Sequence, residues 1–180
     1  MLKRILVLLL VVVSLSLQAC NVAPTSGFNK YIDTTDGYRF LYPLGWLPVK
    51  VSSGPDVVFH DLIHQSENVS IVINPVSGKK TLQELGSPSE VGYKLGKNAI
   101  APPDSGREAD LINAEQIEAA DKTYYLLEYA VKVNGQTRHN VATVGVGRGN
   151  LYTLNASTTD DRWEKMKPVL EQTVRSLRLD

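Results

Sequence analysis

The segment KTYYLLEYAVKVNGQTRHNVATVGVG, residues 122–147, decides the fold. Asn134-Gly135 lies near its middle, between two runs rich in β-branched and aromatic residues, Lys122–Val133 and Arg138–Gly147. An Asn-Gly pair readily adopts the positive φ angles of a two-residue hairpin turn, and runs of this composition favour strands. The segment therefore predicts two antiparallel strands joined by a short turn.

The sequence on either side of this hairpin continues the same pattern. Asp110–Ala119 precedes it across the pair Ala120-Asp121, and Leu151–Ser157 follows it after a turn at Arg148–Asn150. Short turns of this kind join neighbouring strands only when the strands are antiparallel. We therefore predict that four consecutive antiparallel strands form the centre of one sheet.

Further strands are predicted in the first half of the chain. Asp36-Gly37 is a turn signal between Tyr31–Thr34 and Tyr38–Tyr42, which predicts another hairpin. Apolar or alternating runs predict three more strands. These are Trp46–Val51, Val57–Phe59 and Val69–Asn74, the last of which is stopped by Pro75.

Two helices are predicted to cover the sheet, and the first lies between the two groups of strands. Ser87 is a typical N-cap residue and Pro88 follows it at an opening helical position, so a helix is expected to run from there towards Ile100. A shorter helical turn is predicted at Thr81–Leu85. The following sequence APPDSGREA, residues 101–109, contains two prolines and a glycine and predicts an exposed, mobile loop.

The second helix is predicted near the C-terminus, where apolar residues from Trp163 to Leu177 recur at helical spacing. Thr159 and Asp160 are expected to cap this helix, and Pro168 should kink or restart it. Together the elements predict an α+β domain with a central antiparallel β-sheet flanked by helices on both faces.

The first twenty residues are typical of an export signal that ends in a lipid-attachment motif. Lys3 and Arg4 precede an apolar stretch of secretory-signal length, and Leu17-Gln18-Ala19 leads into Cys20, the only cysteine. This order resembles the bacterial lipobox, in which a peptidase cuts before the cysteine and diacylglycerol is attached to its sulfur. We predict a lipoprotein signal peptide at 1–19, a lipidated N-terminus and flexible tether at 20–29, and one folded domain at 30–180.

Acylation of Cys20 would anchor the folded domain to a membrane surface without a spanning helix. It would also leave no thiol for catalysis, disulfide formation or metal binding. The alternative is that Cys20 ends an ordinary signal peptide or stays free near the new N-terminus.

The charge balance argues against a general nucleic-acid-binding protein. The chain has 19 Lys and Arg against 19 Asp and Glu, and loss of the signal with Lys3 and Arg4 leaves 17 against 19. Domains that bind nucleic acid are typically strongly basic. We therefore expect a nearly neutral, membrane-anchored monomer with no nucleic-acid partner.

Motifs for catalysis are weak throughout the sequence. HDLIH at residues 60–64 has the histidine spacing of a helical zinc site but lacks the glutamate beside the first histidine, and its surroundings favour strand or loop. GVGRGN at residues 145–150 is one residue short of a dinucleotide-binding fingerprint and lies between two predicted strands. Neither a phosphate-binding loop nor a nucleophile elbow is present. We therefore predict that the protein is not an enzyme.

Two groups of residues are candidate metal sites. His60, Asp61 and His64 place nitrogen and oxygen donors within a few residues, and His139 could meet Asp160 if its hairpin returns beside the start of the last helix. Neither group supplies four ligands. No cofactor is expected to be required, and zinc, manganese and calcium are the candidate ions. The alternative is that these are surface histidines that bind zinc only when zinc is abundant.

Six motifs in a fixed order resemble the PsbP family, whose members are extrinsic proteins of photosystem II on the lumenal side of the thylakoid membrane. The resemblance extends from about Tyr31 to the C-terminus. The motifs are YRFLYPLGW (38–46), NVSIVINP (68–75), YYLLEY (124–129), RHNVATV (138–144), GNLYTLNAS (149–157) and DDRW (160–163).

The resemblance implies a fold, a function and a location. The family fold is an α/β/α sandwich around an antiparallel sheet. With a lipobox in front, the chain is most similar to the lipoprotein members, which implies a non-enzymatic accessory of photosystem II, anchored by lipid at the lumenal thylakoid surface. Such a protein aids assembly or stability of the oxygen-evolving complex and contacts reaction-centre subunits or assembly intermediates. The family's metal positions correspond here to His139 and Asp160.

Two hypotheses from different classes follow. A docking or assembly module predicts an exposed patch near the anchor and no deep polar pocket. A metal-binding lipoprotein, acting as a carrier or buffer, predicts ligands that converge around His139 or His60.

Overall fold

The computed structural model describes residues 26–180, which form ten β-strands and three α-helices. The strands are β1 (Phe28–Asp33), β2 (Tyr38–Pro43), β3 (Trp46–Val49), β4 (Val57–Asp61), β5 (Asn68–Pro75), β6 (Arg107–Ala119), β7 (Lys122–Val133), β8 (Gln136–Gly147), β9 (Asn150–Thr159) and β10 (Arg178–Leu179). The helices are α1 (Leu82–Leu85), α2 (Pro88–Leu95) and α3 (Trp163–Arg175), and short 3₁₀ or π turns lie at Ser77–Lys79, Gly96–Ile100 and Asp160–Arg162.

Seven strands form one large sheet in the order β3-β4-β5-β9-β8-β7-β6, and every neighbouring pair is antiparallel. The four consecutive strands β6 to β9 are neighbours, as predicted, and Asn134 and Gly135 have φ angles of 51° and 79° in the turn between β7 and β8. The prediction that all four lie at the centre was wrong, because β6 is an edge strand. The centre of the order is β9, which pairs with β5 on its other side.

The predicted first hairpin belongs to a separate small sheet with the order β1-β2-β10. Phe28 and Asn29 pair with Pro43 and Tyr42, so these two residues are part of the folded domain and not of the predicted tether at 20–29. The predicted signal peptide and Cys20 lie outside the described residues. None of the helices within residues 26–180 has the length and apolar character needed to span a bilayer.

The large sheet is covered on both faces, as the sequence predicted. One of the two faces is covered by the small sheet as well as by a helix, which was not predicted. α3 and the small sheet pack on one face, where the larger core cluster includes Phe40, Leu154 and Leu170. α1 and α2 pack on the other face over a second cluster that includes Val91 and Leu127. The run YYLLEY in β7 is apolar at consecutive positions because its side chains enter both clusters.

The start of α2 agrees with its sequence signals. The Ser87 side chain accepts a hydrogen bond from the Glu90 amide, and the Glu90 carboxylate accepts one from the Ser87 amide at 2.8 Å. These reciprocal bonds satisfy amides that have no partner within the helix. The loop predicted at 101–109 is shorter than expected, since β6 begins at Arg107, which pairs with Val133 of β7.

The expected side-chain cap of the last helix is absent, and the helix does not restart at Pro168. Neither the 3₁₀ turn at Asp160–Arg162 nor α3 has a side-chain N-cap hydrogen bond, so Thr159 and Asp160 do not cap by side chain. α3 also continues through Pro168 without restarting. Pro168 is exposed, so the missing amide lies on the solvent side while the buried face, including Leu170 and Val174, holds the helix against the sheet.

Candidate functional site: an arginine-bearing groove on the large sheet

A groove of about 1010 Å³ runs over the part of the large sheet that α1 and α2 leave open. Its floor consists of alternate residues of β5, β9, β8 and β7. One wall is the end of α2 and the following π turn, with Leu95, Asn98 and Ile100, and the β3–β4 loop contributes Gly54 and Pro55. The docking hypothesis predicted a surface without a deep polar pocket, and a groove of this size departs from that prediction.

The part of the floor formed by β5, β9 and β8 is largely polar, because these strands place hydroxyl and amide side chains on the same face. Asn68, Ser157 and Asn140 are direct neighbours across β5, β9 and β8. The Ser157 hydroxyl donates to Asn140 Oδ1 at 3.1 Å, and Asn140 Nδ2 donates to Asn155 Oδ1, also at 3.1 Å. Linked side chains of this kind form a pre-ordered surface of donors and acceptors.

Two arginines give the groove a positive charge. Among the described residues, Arg107 and Arg138 are the only charged side chains in its lining. Arg138 Nη2 donates to the Ser66 carbonyl at 2.6 Å and to Ser157 Oγ at 2.8 Å, which fixes its guanidinium at the side of the groove. Burial and the nearby charge of Arg107 lower the Arg138 pKa. An acidic ligand would relieve this repulsion between the two cations.

The sequence carried a signal for this groove that a search for catalytic motifs does not detect. NVSIVIN in β5 and LYTLNAS in β9 each place small polar residues at alternate positions, and RHNVATV in β8 adds Arg138 and Asn140 in the same alternation. Alternation of this kind is normally a solvent-facing side of a sheet. Only the pairing of β5 with β9, which joins distant parts of the chain, shows that the polar sides are continuous.

The structure brings His139 and Asp160 together on the opposite face of the large sheet. His139 Nε2 lies 2.7 Å from Asp160 Oδ1. The imidazole stacks on the Trp163 ring with centroids 4.5 Å apart and planes inclined by 8°, and Lys167 Nζ lies 5.0 Å from the same ring. The predicted contact between the β7–β8 hairpin and the start of the last helix is therefore present.

His139 and Asp160 do not form a ready-made metal site. Within residues 26–180, no group of three or more His, Cys, Asp or Glu ligand atoms within 4.8 Å of one another includes either residue. The direct contact of Nε2 with Asp160 occupies the atoms that a metal ion would need. His139 Nδ1 is buried and has no hydrogen-bond partner in the described part of the chain, but it offers a single donor.

The second predicted group is divided by the structure. Asp61 and His64 lie together with Glu67, their ligand atoms all within 4.8 Å of one another, whereas His60 is not part of this cluster. Asp61 Oδ1 accepts the backbone amides of His64 and Ile63, and these hydrogen bonds lower the Asp61 pKa. Asp61 therefore holds the turn after β4.

Glu67 was missed by the sequence analysis, and its contacts explain why it is buried. It is 1% exposed, pairs with the Arg162 guanidinium and accepts the Thr158 hydroxyl at 2.9 Å. A carboxylate with these partners is satisfied without a metal ion, and the adjacent guanidinium disfavours a further cation. Neither predicted group, as arranged here, fits a resident metal ion.

Zinc titration is expected to give similar weak binding for the wild type and for His139→Ala, with dissociation constants above roughly 1 µM. The reason is that the His139 pair supplies two donors already bonded to each other. Isothermal titration of the full chain with zinc measures this, and His60→Ala is the matched histidine control. Binding far tighter than this limit in the wild type, lost only in His139→Ala, would favour the metal-carrier hypothesis.

Solved structures define the class of protein to which this fold belongs. The solution structure of cyanobacterial PsbP (CyanoP) from Synechocystis matches with a TM-score of 0.74 and 39% identity, over 90% of this chain and 98% of that one. This similarity places the chain in the class of photosynthetic accessory proteins that have an α+β fold.

Sequence comparisons agree over almost the whole chain. The PsbP family model matches residues 26–179. CyanoP of Thermosynechococcus vestitus is 47% identical over 98% of both chains. Photosynthetic NDH subunit of lumenal location 1 of Arabidopsis thaliana is 30% identical over 84% of this chain and 62% of its own length. The chain belongs to the PsbP family.

Proposed function

We propose that the protein is a non-enzymatic accessory of photosystem II, held at the lumenal surface of the thylakoid membrane by acyl chains on Cys20. In this role it aids assembly or stability of the oxygen-evolving complex. Support comes from the near full-length similarity to CyanoP and from the Arabidopsis relative, whose name gives a lumenal location. The lipobox LQAC at residues 17–20 supports the anchor.

The groove is the surface that we propose to contact photosystem II. The observation that carries this role is its charge: Arg107 and Arg138 line it together with hydroxyl and amide groups, and no Asp or Glu of the described chain lines it. Guanidinium groups recognise carboxylates through paired hydrogen bonds, and complementary charge sets the specificity of a docking contact. The partner is therefore an acidic, extended segment of a reaction-centre subunit or an assembly intermediate.

Arg107→Glu is expected to reduce recovery of photosystem II subunits about tenfold or more, because a carboxylate would replace one of the two cations of the groove. Arg107 is exposed, so the charge can be reversed without placing it in the core. The measurement is affinity pull-down of the full lipoprotein from solubilised thylakoids, with bound subunits quantified by mass spectrometry.

Lys165→Glu is the matched control, since it makes the same charge reversal at an exposed position on α3, away from the groove. Its recovery of partners should equal that of the wild type. Equal recovery by Arg107→Glu would show that docking uses another surface. If the wild type recovers no photosystem II subunit, the proposed function itself is wrong.

A further inference from the structure

Three exposed apolar side chains lie at the end of the molecule where the N-terminal segment enters the fold. Leu44, Leu62 and Ile63 are 58%, 60% and 82% exposed. Single exposed leucines are common on protein surfaces, but a group of them marks a contact site. We refer to these three residues as the apolar tip.

The strand register places the three residues at the same end of the large sheet. Trp46, the first residue of β3, pairs with Asp61, the last residue of β4. Leu44 lies two positions before Trp46, and Leu62 and Ile63 directly follow Asp61. The two turns that carry the apolar tip are therefore side by side.

The second of these turns is held in place by hydrogen bonds. Asp61 Oδ1 accepts the Ile63 amide at 2.9 Å, and the Asp61 amide donates to the Glu67 carbonyl at 3.0 Å. The Glu67 amide in turn donates to the His64 carbonyl at 2.7 Å. Leu62 and Ile63 are thus presented by a fixed turn, and exposure of these side chains is a property of the folded state.

The proposed anchor enters the fold beside the same tip. The Leu44 amide donates to the Gly27 carbonyl at 2.9 Å. Cys20 precedes Ser26, the first described residue, by six positions, which span at most about 20 Å of extended chain. Acyl chains on Cys20 would therefore keep this end of the domain, and no other, close to the bilayer surface.

We propose that the apolar tip inserts its side chains into the interfacial region of the lipid bilayer, an inference that rests on the proposed lipidation of Cys20. The tip is the second membrane contact beside the lipid, and stable attachment of acylated proteins generally requires a second contact. The same orientation applies to the groove. His60 pairs with Asn68 near this end of the sheet, Asn68 pairs with Ser157, and Ser157 Oγ accepts a hydrogen bond from Arg138. The end of the groove that contains Arg138 is therefore the end that faces the membrane.

A fluorescent probe at position 63 tests this contact in the full lipoprotein. Acylation blocks the sulfur of Cys20, so Ile63→Cys supplies the one free thiol for a polarity-sensitive dye. The labelled protein is bound to vesicles of phosphatidylcholine and phosphatidylglycerol in which some acyl chains carry a nitroxide quencher. Ile112→Cys is the matched control, because Ile112 is 57% exposed on β6, the edge strand that lies five strand spacings, or about 24 Å, from β4.

We expect quenching at position 63 to exceed quenching at position 112 several-fold, with a blue-shifted emission at position 63 only. Vesicle flotation and mass spectrometry of the wild type test the anchor separately. If the acylated protein floats with vesicles but both probes stay in water, the inference is wrong and the anchor remains. A probe at position 63 that is shielded only after photosystem II subunits are added would show that the tip contacts protein. An unmodified Cys20 and no flotation would overturn both the proposed lipid anchor and the proposed insertion of the apolar tip.

Discussion

Leu170→Ala is expected to lower the free energy of unfolding by about 2–5 kcal/mol, the largest loss among the substitutions considered for this domain. Leu170 is 0% exposed on α3 and belongs to the core cluster that also contains Leu154 of the large sheet and Phe40 of the small sheet. Truncation would remove contacts at the place where helix and both sheets meet, and the fixed strands limit collapse of the cavity. Urea unfolding followed by tryptophan fluorescence measures the change, because Trp46 and Trp163 are buried.

The control is the same change at an exposed position. Leu44 is 58% exposed, so Leu44→Ala should alter the free energy of unfolding by no more than about 0.5 kcal/mol. A loss below about 1 kcal/mol for Leu170→Ala would contradict the packing of α3 against both sheets. The slope of the urea dependence should stay unchanged in both variants, since neither alters the surface exposed on unfolding appreciably.

Gly145→Ala is expected to cost about 1–3 kcal/mol of stability through overpacking. A Cβ atom at position 145 in β8 would lie 2.7 Å from Tyr124 Cδ1 and 3.0 Å from Leu179 Cδ1. The Tyr124 ring cannot move away freely, because its hydroxyl accepts the Leu179 amide at 3.1 Å and so holds β10. The clash would therefore weaken the junction of the two sheets, which thermal and urea unfolding both report.

Gly147→Ala makes the same change two residues further along the same strand. There the nearest atoms to the added Cβ are in Leu179, at 3.3 and 3.4 Å, which a small side-chain movement can accommodate. The reduced freedom of the unfolded chain offsets part of the cost, so the net effect should stay within about 1 kcal/mol. Equal destabilisation by the two substitutions would show that loss of glycine itself, rather than the Tyr124 contact, is responsible.

The parts of the fold that follow from neighbouring residues could be predicted, and those that depend on distant pairing could not. The turns between β6 and β9 contain residues with positive φ, including Ala120, Asp121 and Asn134, and the flanking strands alternate around them. The pairing of β5 with β9 and the edge position of β6 depend instead on packing across the whole domain. A strand of two residues, such as β10, is too short to show any periodicity.

The candidate site shows the same limit. The contact of His139 with Asp160 could be expected because the hairpin and the helix start are connected by a single strand, β9. Glu67 resembles an ordinary surface acid in sequence, and its burial makes sense only beside Arg162, 95 residues later. The groove could not be predicted because asparagine and serine at alternate strand positions are also typical of a plain solvent-facing surface.

The position of β10 has a consequence for the order in which the molecule can be completed. Arg178 and Leu179 pair with Arg39 and Tyr38, and the Asp180 amide donates to the Gly37 carbonyl at 2.9 Å. Ribosomes synthesise the N-terminus first, and a hairpin such as β1–β2 is marginally stable by itself. The nascent chain therefore cannot close its small sheet until β10, more than 130 residues after β2, has been synthesised and has left the ribosome.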